Sequence, residues 1–265
     1  MAFSALGQRQ VTCTAVLRFA CVLLILVVPV PSLVAQRAAY TAGWGDAATV
    51  GGAGLLALLP AALRLPHGPP PCAPCDPAGL WGIDRWAIHP VDMRAGRASD
   101  VLLLSVAGSA GLASVLGVPA DRARGNVAVY LDAISLTGAT TDWLKVLVHR
   151  SRPVLYTANA VAAAGSHESR VSFPSGHTSF AFAAATSYAV LARRQQLPHA
   201  TRNSVLLLLG AAGVGALRVA AHQHFPTDVL AGAALGSGIG WLVATVHPTT
   251  HSPRSSPSSS PPPPP

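Results

Sequence analysis

Apolar residues in this chain come in long runs rather than in alternation. Roughly 101–119, 178–192, 203–221 and 229–246 each read as membrane spans by length and apolarity. A fifth stretch, about 126–147, carries Asp132, Thr137, Thr140, Thr141 and Asp142 among its apolar positions. It predicts an amphipathic helix whose polar stripe faces a bundle rather than lipid. Ahead of these, an apolar run from Phe19 to Val30 follows Arg9 and Arg18 and gives way to small residues near Ala35. Segment 1–36 is therefore either a cleaved signal peptide or an uncleaved signal anchor. Residues 37–96 are rich in Gly and Pro, and the apolar piece Leu55–Leu65, interrupted by Pro60, reads as a short surface or re-entrant helix in an extracytoplasmic segment. Residues 248–265 are a Ser/Pro-rich tail ending in five prolines, which predicts disorder. The fold class is all-α, a transmembrane bundle of five to six spans, with its main domain over 97–247.

Loop charge orients such a bundle. With Arg9 and Arg18 holding the N-terminus in the cytoplasm and the first segment crossing outward, 101–119 returns inward to a loop with Arg122 and Arg124. Two crossings later comes the loop 193–202 with Arg193, Arg194 and Arg202. The connections 148–177 and 222–228 then share the extracytoplasmic face, which in a bacterial inner membrane is periplasmic. In the last span, Gly232, Gly236 and Gly240 recur every fourth residue, the spacing that lets helices pack closely in lipid.

Composition agrees with a membrane protein: 51% of the residues are hydrophobic and 11% charged, where a soluble domain carries about 25% charged residues. The formal charge of +8 does not imply nucleic acid, because the arginines are scattered and form no dense patch. Lys145 is the only lysine and Val146 follows it, so no Gly-rich Lys-Ser/Thr phosphate loop exists.

Three stretches on the predicted extracytoplasmic face carry chemistry. Lys145-Val-Leu-Val-His-Arg-Ser-Arg152-Pro153 puts cations at a helix end; Ser172-Phe-Pro-Ser175-Gly176-His177 precedes an Ala-rich helix; Arg218-Val-Ala-Ala-His-Gln-His224-Phe-Pro-Thr-Asp228 joins two spans. Lys145, Arg152 and Arg218 can neutralise phosphate oxygens. Ser175, a natural N-cap, and Gly176 stand where a helix offers free backbone N–H groups to an anion. His177 and His224 can divide nucleophilic attack and proton transfer, and Asp228, four residues after His224, can accept a ring N–H and orient it.

These three motifs, in this order, resemble those of the type 2 phosphatidic acid phosphatase family, which shares its site with the vanadium haloperoxidases. The resemblance covers about 97–247. It implies that Lys145, Arg152, Ser175, Gly176 and Arg218 hold phosphate, that His224 becomes a phosphohistidine, that Asp228 orients it and that His177 protonates the leaving group. It also implies a six-helix core, a lipid phosphate or pyrophosphate as substrate, and no metal or other cofactor. The family usually has Ser before the third-motif arginine, where this chain has Leu217. The competing readings are a vanadate-dependent haloperoxidase and a catalytically silent lipid-binding membrane protein.

Several other residues draw structural expectations. His222 rivals His224 by composition, and only spacing to Arg218 and Asp228 selects the latter. Asp132 is expected in a buried structural hydrogen bond, Asp100 as a helix cap, and Lys145 beside Asp142 one turn earlier. His149 and Arg150 fall inside the first motif and receive no role. Cys72 and Cys75 are expected to form a local disulfide outside the membrane.

Overall fold

The computed structural model describes residues 39–250. The signal segment 1–36, with Cys13 and Cys21, and the tail beyond Thr250 lie outside the described residues. In chain order the helices are α1 (Trp44–Ala62), α2 (Gly82–Arg85), α3 (Met93–Val115), α4 (Ala120–Val148), α5 (Ala160–Ala163), α6 (Gly176–Gln195), α7 (Ala200–Ala220) and α8 (Pro226–Val246). α2 and α5 are single turns in loops. The remaining six form an all-α bundle, and α1, α3, α7 and α8 are each long and apolar enough to cross a membrane.

One expectation about the helices is corrected. The piece around Pro60 is no short surface or re-entrant helix: α1 runs 19 residues and includes Pro60 in its last turn. Proline lacks the N–H that would bond the carbonyl four residues back. That carbonyl, of Leu56, instead receives the indole N–H of Trp143 on α4 at 3.0 Å. The stretch 178–192 is helical as expected: α6 is the buried centre of the bundle and is less apolar than the four helices named above. It packs against α3, α4, α7 and α8, and Ser179, Ala183, Ala184, Ser187 and Tyr188 are all buried.

The stripe of small residues on α8 explains the closest of these contacts. A Cβ at Gly236 would stand 2.0 Å from the Ser179 carbonyl oxygen, and one at Gly240 2.7 Å from that of Ala183. Only glycine lets the α8 and α6 backbones touch in this way. The same contact continues upward to Gly232 against Ser175, which brings the start of α8 onto the start of α6.

α1 runs alongside α4, so residues 39–43 share an end of the bundle with the 116–119 and 196–199 connections. At that end Ala39–Tyr40 (β1) pairs antiparallel with Thr249–Thr250 (β2). The opposite end gathers the loop 63–92, the start of α3, the end of α4, the loop 149–175, the start of α6, the end of α7 and the start of α8. In that loop Cys72 and Cys75 are joined in a disulfide, and Cys75 N–H donates to the Leu155 carbonyl at 2.8 Å.

Candidate active site

All three motifs arrive at that end. Ser175 is the residue before α6, and its buried hydroxyl accepts from Thr178 Oγ1 at 3.0 Å instead of capping the helix with its side chain. Its backbone N–H donates to the Asp228 carbonyl at 3.0 Å, which locks the second motif to the third. Lys145 comes from the last turn of α4. Its Nζ lies so near Gly176 that a Cβ there would meet it at 3.3 Å, so an ammonium hangs over the helix start.

His224 sits in the turn between α7 and α8 and is 2% exposed. Its Nδ1 donates to the Ser172 carbonyl at 2.7 Å, an oxygen that can only accept, so Nε2 keeps its lone pair. Burial lowers the ring to about 3, Arg152 and Arg218 act in the same direction and Asp228 opposes them. The side chain is a neutral imidazole at physiological pH.

Asp228 is fully buried and stands 3.7 Å from His224 Nδ1, further than the direct hydrogen bond expected from spacing. Its Oδ2 accepts from Ser172 Oγ at 2.6 Å and from Phe225 N–H at 2.9 Å. Its Oδ1 pairs with Arg150. Arg150, given no role by its place in the first motif, is thus a principal support of the site. It also donates to Asp84 Oδ2 at 2.8 Å and lies over the Phe225 ring, 4.4 Å from its centroid. Asp84, buried on α2, in turn accepts from Thr227 N–H at 3.1 Å and Thr227 Oγ1 at 2.8 Å. No motif flagged Asp84; its only signal was an acidic residue amid Trp81, Ile83 and Trp86.

The phosphate-binding candidates are each paired with a more exposed carboxylate. Lys145 meets Asp142 at 3.1 Å, Arg152 meets Glu168 at 2.5 Å, and Arg218 lies 3.5 Å from Asp100. Arg218 also donates to Ser99 Oγ at 3.2 Å. The Nε atoms of Arg152 and Arg218 are buried with no hydrogen-bond partner among the described residues. Burial pulls the Arg152 guanidinium below its ordinary range. Two desolvated guanidinium groups with unused donors, beside an uncharged histidine, suit an anion with several oxygens.

His177, in the first turn of α6, faces Asp100 Oδ1 through Nε2 at 2.8 Å. Asp100 is therefore not the helix cap expected. α3 begins seven residues earlier, capped by Asp92, which accepts from Arg94 N–H and Ala95 N–H at 2.8 and 3.3 Å. Two turns inside the helix, Asp100 is free to join His177 to Arg218. His222 is turned away, with φ of 54°, its Nδ1 3.2 Å from the Ala87 carbonyl and its ring against His89. His149, also left-handed at φ of 52°, ends α4 as an exposed cap. Leu217 packs on the apolar core of the bundle rather than facing the site.

The family model described as the PAP2 superfamily matches residues 126–252. That match supports membership of the PAP2 superfamily. All eight residues expected in the site lie inside the PAP2 segment, whereas Asp84, Ser99 and Asp100 precede it. The coarse assignment is a phosphatase-type, helical membrane protein. No curated protein and no solved structure matches the chain.

Proposed function

We propose that this chain is an integral membrane phosphatase that hydrolyses a phosphate monoester or pyrophosphate of a lipid through a phosphohistidine on His224. The observation that carries the proposal is the state of His224: buried, neutral, its Nδ1–H held by the Ser172 carbonyl, and adjacent to two arginines with unused donors. In the first step Nε2 attacks phosphorus, the P–N bond forms and the bond to the lipid oxygen breaks, and His177 gives that oxygen a proton. In the second, water attacks phosphorus and gives its proton to His177, and the P–N bond breaks. Lys145, Arg152, Arg218 and the Gly176 N–H stabilise charge on the equatorial oxygens, while Ser175, its own N–H bonded to the Asp228 carbonyl, sets the start of the helix in place. No metal or cofactor takes part.

An open cavity of about 400 Å³ beside Arg150 has Leu80, Trp81, Val148 and Phe173 in its wall. Phe173 and Thr227 in its wall are chain neighbours of Ser172 and Asp228, so an apolar surface lies at the same end of the bundle as the candidate site, which favours a lipid over a soluble ester. Arginines occur at both ends of the bundle, so the disulfide between Cys72 and Cys75 supports the orientation: it calls for an oxidising compartment and thus an extracytoplasmic site, periplasmic in a bacterial inner membrane.

The test is phosphate release from a panel of lipid monoesters and diphosphates by purified protein in detergent, with acid-labile phosphate trapped on the chain. His224→Ala protein that releases phosphate at the wild-type rate would sink the mechanism.

A further inference from the structure

Asp132, expected in a structural hydrogen bond, makes none through Oδ1. That atom is buried with no partner among the described residues, on a side chain only 8% exposed. It belongs to a group of three ligand-type residues at the end of the bundle remote from the phosphate site. Asp46 comes from the first turn of α1, Asp132 from the middle of α4, and His247 from the residue after α8. One ligand atom from each lies within 4.8 Å of the others. Asp132 stands 13 residues before Lys145 on the same helix, about 20 Å at 1.5 Å per residue.

The histidine decides what the group can hold. Its Nδ1 lies 3.3 Å from the Pro248 carbonyl, which only accepts, so Nδ1 carries a proton. Its Nε2 then points a lone pair at Asp46 Oδ1, 3.0 Å away, and Asp132 Oδ2, 3.7 Å away. Lone pairs facing at those distances require a positive charge. With protons alone, one is needed on Nε2 for Asp46 and a second shared between the Asp46 and Asp132 carboxyl groups, whereas a single metal ion can bind all three residues. For metal–ligand bonds of 2.0 to 2.1 Å a tetrahedral site has edges of about 3.3 Å, and the two measured edges bracket that value.

The surroundings are those of a metal centre. The carbonyl on Nδ1 fixes the tautomer, Gly43 N–H holds Asp46 Oδ2 at 2.7 Å, and Tyr40 packs edge-on against the His247 ring. One imidazole with two carboxylates suits a borderline ion such as Zn²⁺ better than Mg²⁺, which prefers oxygen alone. We propose that Asp46, Asp132 and His247 bind a divalent transition-metal ion, with water completing the shell, and that the ion pins α1 and the end of α8 to α4. The ion has a structural role and takes no part in phosphoryl transfer.

The experiment uses the purified full chain in detergent, stripped with chelator and desalted. Zn²⁺ is titrated by calorimetry, bound zinc is counted by elemental analysis, and thermal melts are recorded with Zn²⁺ and with Mg²⁺. Wild type should bind one Zn²⁺ per chain and melt higher with it, while Mg²⁺ at equal concentration should do neither. Asp132→Asn and His247→Ala should each weaken binding at least tenfold. If either fails to fold, Asp46→Asn, at the partly exposed edge, gives the same reading. His224→Ala should keep full zinc affinity while losing phosphate release, which separates this site from the catalytic one. Substoichiometric zinc, wild-type affinity in the Asp46 and Asp132 variants, or loss of zinc with His224→Ala would each overturn the proposal.

Discussion

His224 and Asp228 do not share a short hydrogen bond: the ring N–H goes to the Ser172 carbonyl at 2.7 Å, and the carboxylate waits 3.7 Å from the same nitrogen. The backbone therefore fixes the tautomer, and Asp228 acts by its charge and by holding Ser172 and Phe225 in place. In a serine-protease triad the carboxylate alone fixes the tautomer, and its amide variant loses about 10⁴ in turnover. Here Asp228→Asn should cost less, about 10- to 100-fold in kcat with KM little changed, whereas His224→Ala should remove turnover. Steady-state phosphate release from one lipid phosphate decides it. A loss for Asp228→Asn as complete as for His224→Ala would mean the aspartate, not the carbonyl, orients the ring.

Among the described residues Arg150 is the only side chain that touches both Asp84 and Asp228, and both carboxylates are buried. Removing one partner of a buried ion pair leaves an uncompensated charge, at a cost of about 3–5 kcal/mol. The 21% exposure of Arg150 places the effect at the lower end of that range. Arg150→Ala should lower the melting temperature and reduce kcat at least tenfold by loosening the start of α8. Arg150→Lys should recover most of the melting temperature but not kcat, because an ammonium cannot reach two carboxylates as a planar fork does. Full recovery of kcat by lysine would show that the charge alone matters.

The contiguous part of the site was legible because each motif packs its chemistry into a few residues at a helix end. Spacing alone separated His224 from His222, and the structure turns His222 toward Ala87. The supports were not legible for a physical reason. Asp84 lies on the single-turn α2 and Asp100 inside α3, neither marked by a local pattern, and their place in the candidate site exists only where α2 and α3 meet the third motif. Arg150 was hidden inside a motif whose ends seemed to carry its meaning. For the fold, the stripe of glycines on α8 announced its packing, whereas Pro60 concealed α1: the compensating donor, Trp143, lies 87 positions away in sequence.

The depressed His224 value gives stability a pH dependence of definite sign. An unfolded chain protonates this histidine near 6.5, whereas the folded chain resists until about 3. Between those values the unfolded state binds more protons, so stability is full above about 6.5 and falls as pH drops toward 3. His224→Gln cannot ionise at this position, and all other groups titrate alike in both proteins. Melting curves in detergent should therefore show wild type losing more of its melting temperature than His224→Gln between pH 7 and 4. Parallel losses would mean the histidine is protonated in the fold.

Close approach of α8 to α6 is a property of particular glycines, and two neighbours on one helix separate that effect from helix propensity. Gly236→Ala would place a methyl 2.0 Å from a backbone oxygen of α6, whereas Gly238→Ala meets nothing within 4 Å. The oxygen belongs to backbone and cannot swing aside, so the helices must part. Overpacking of that kind costs about 1–3 kcal/mol. Since Ser175 N–H bonds the Asp228 carbonyl one turn above the same seam, Gly236→Ala should also lower kcat. Gly238→Ala should gain up to about 1 kcal/mol from helix propensity and leave turnover unchanged. Thermal melts and phosphate release on the two variants make the comparison, and equal behaviour would remove the seam between α6 and α8 as the element that holds the second and third motifs together.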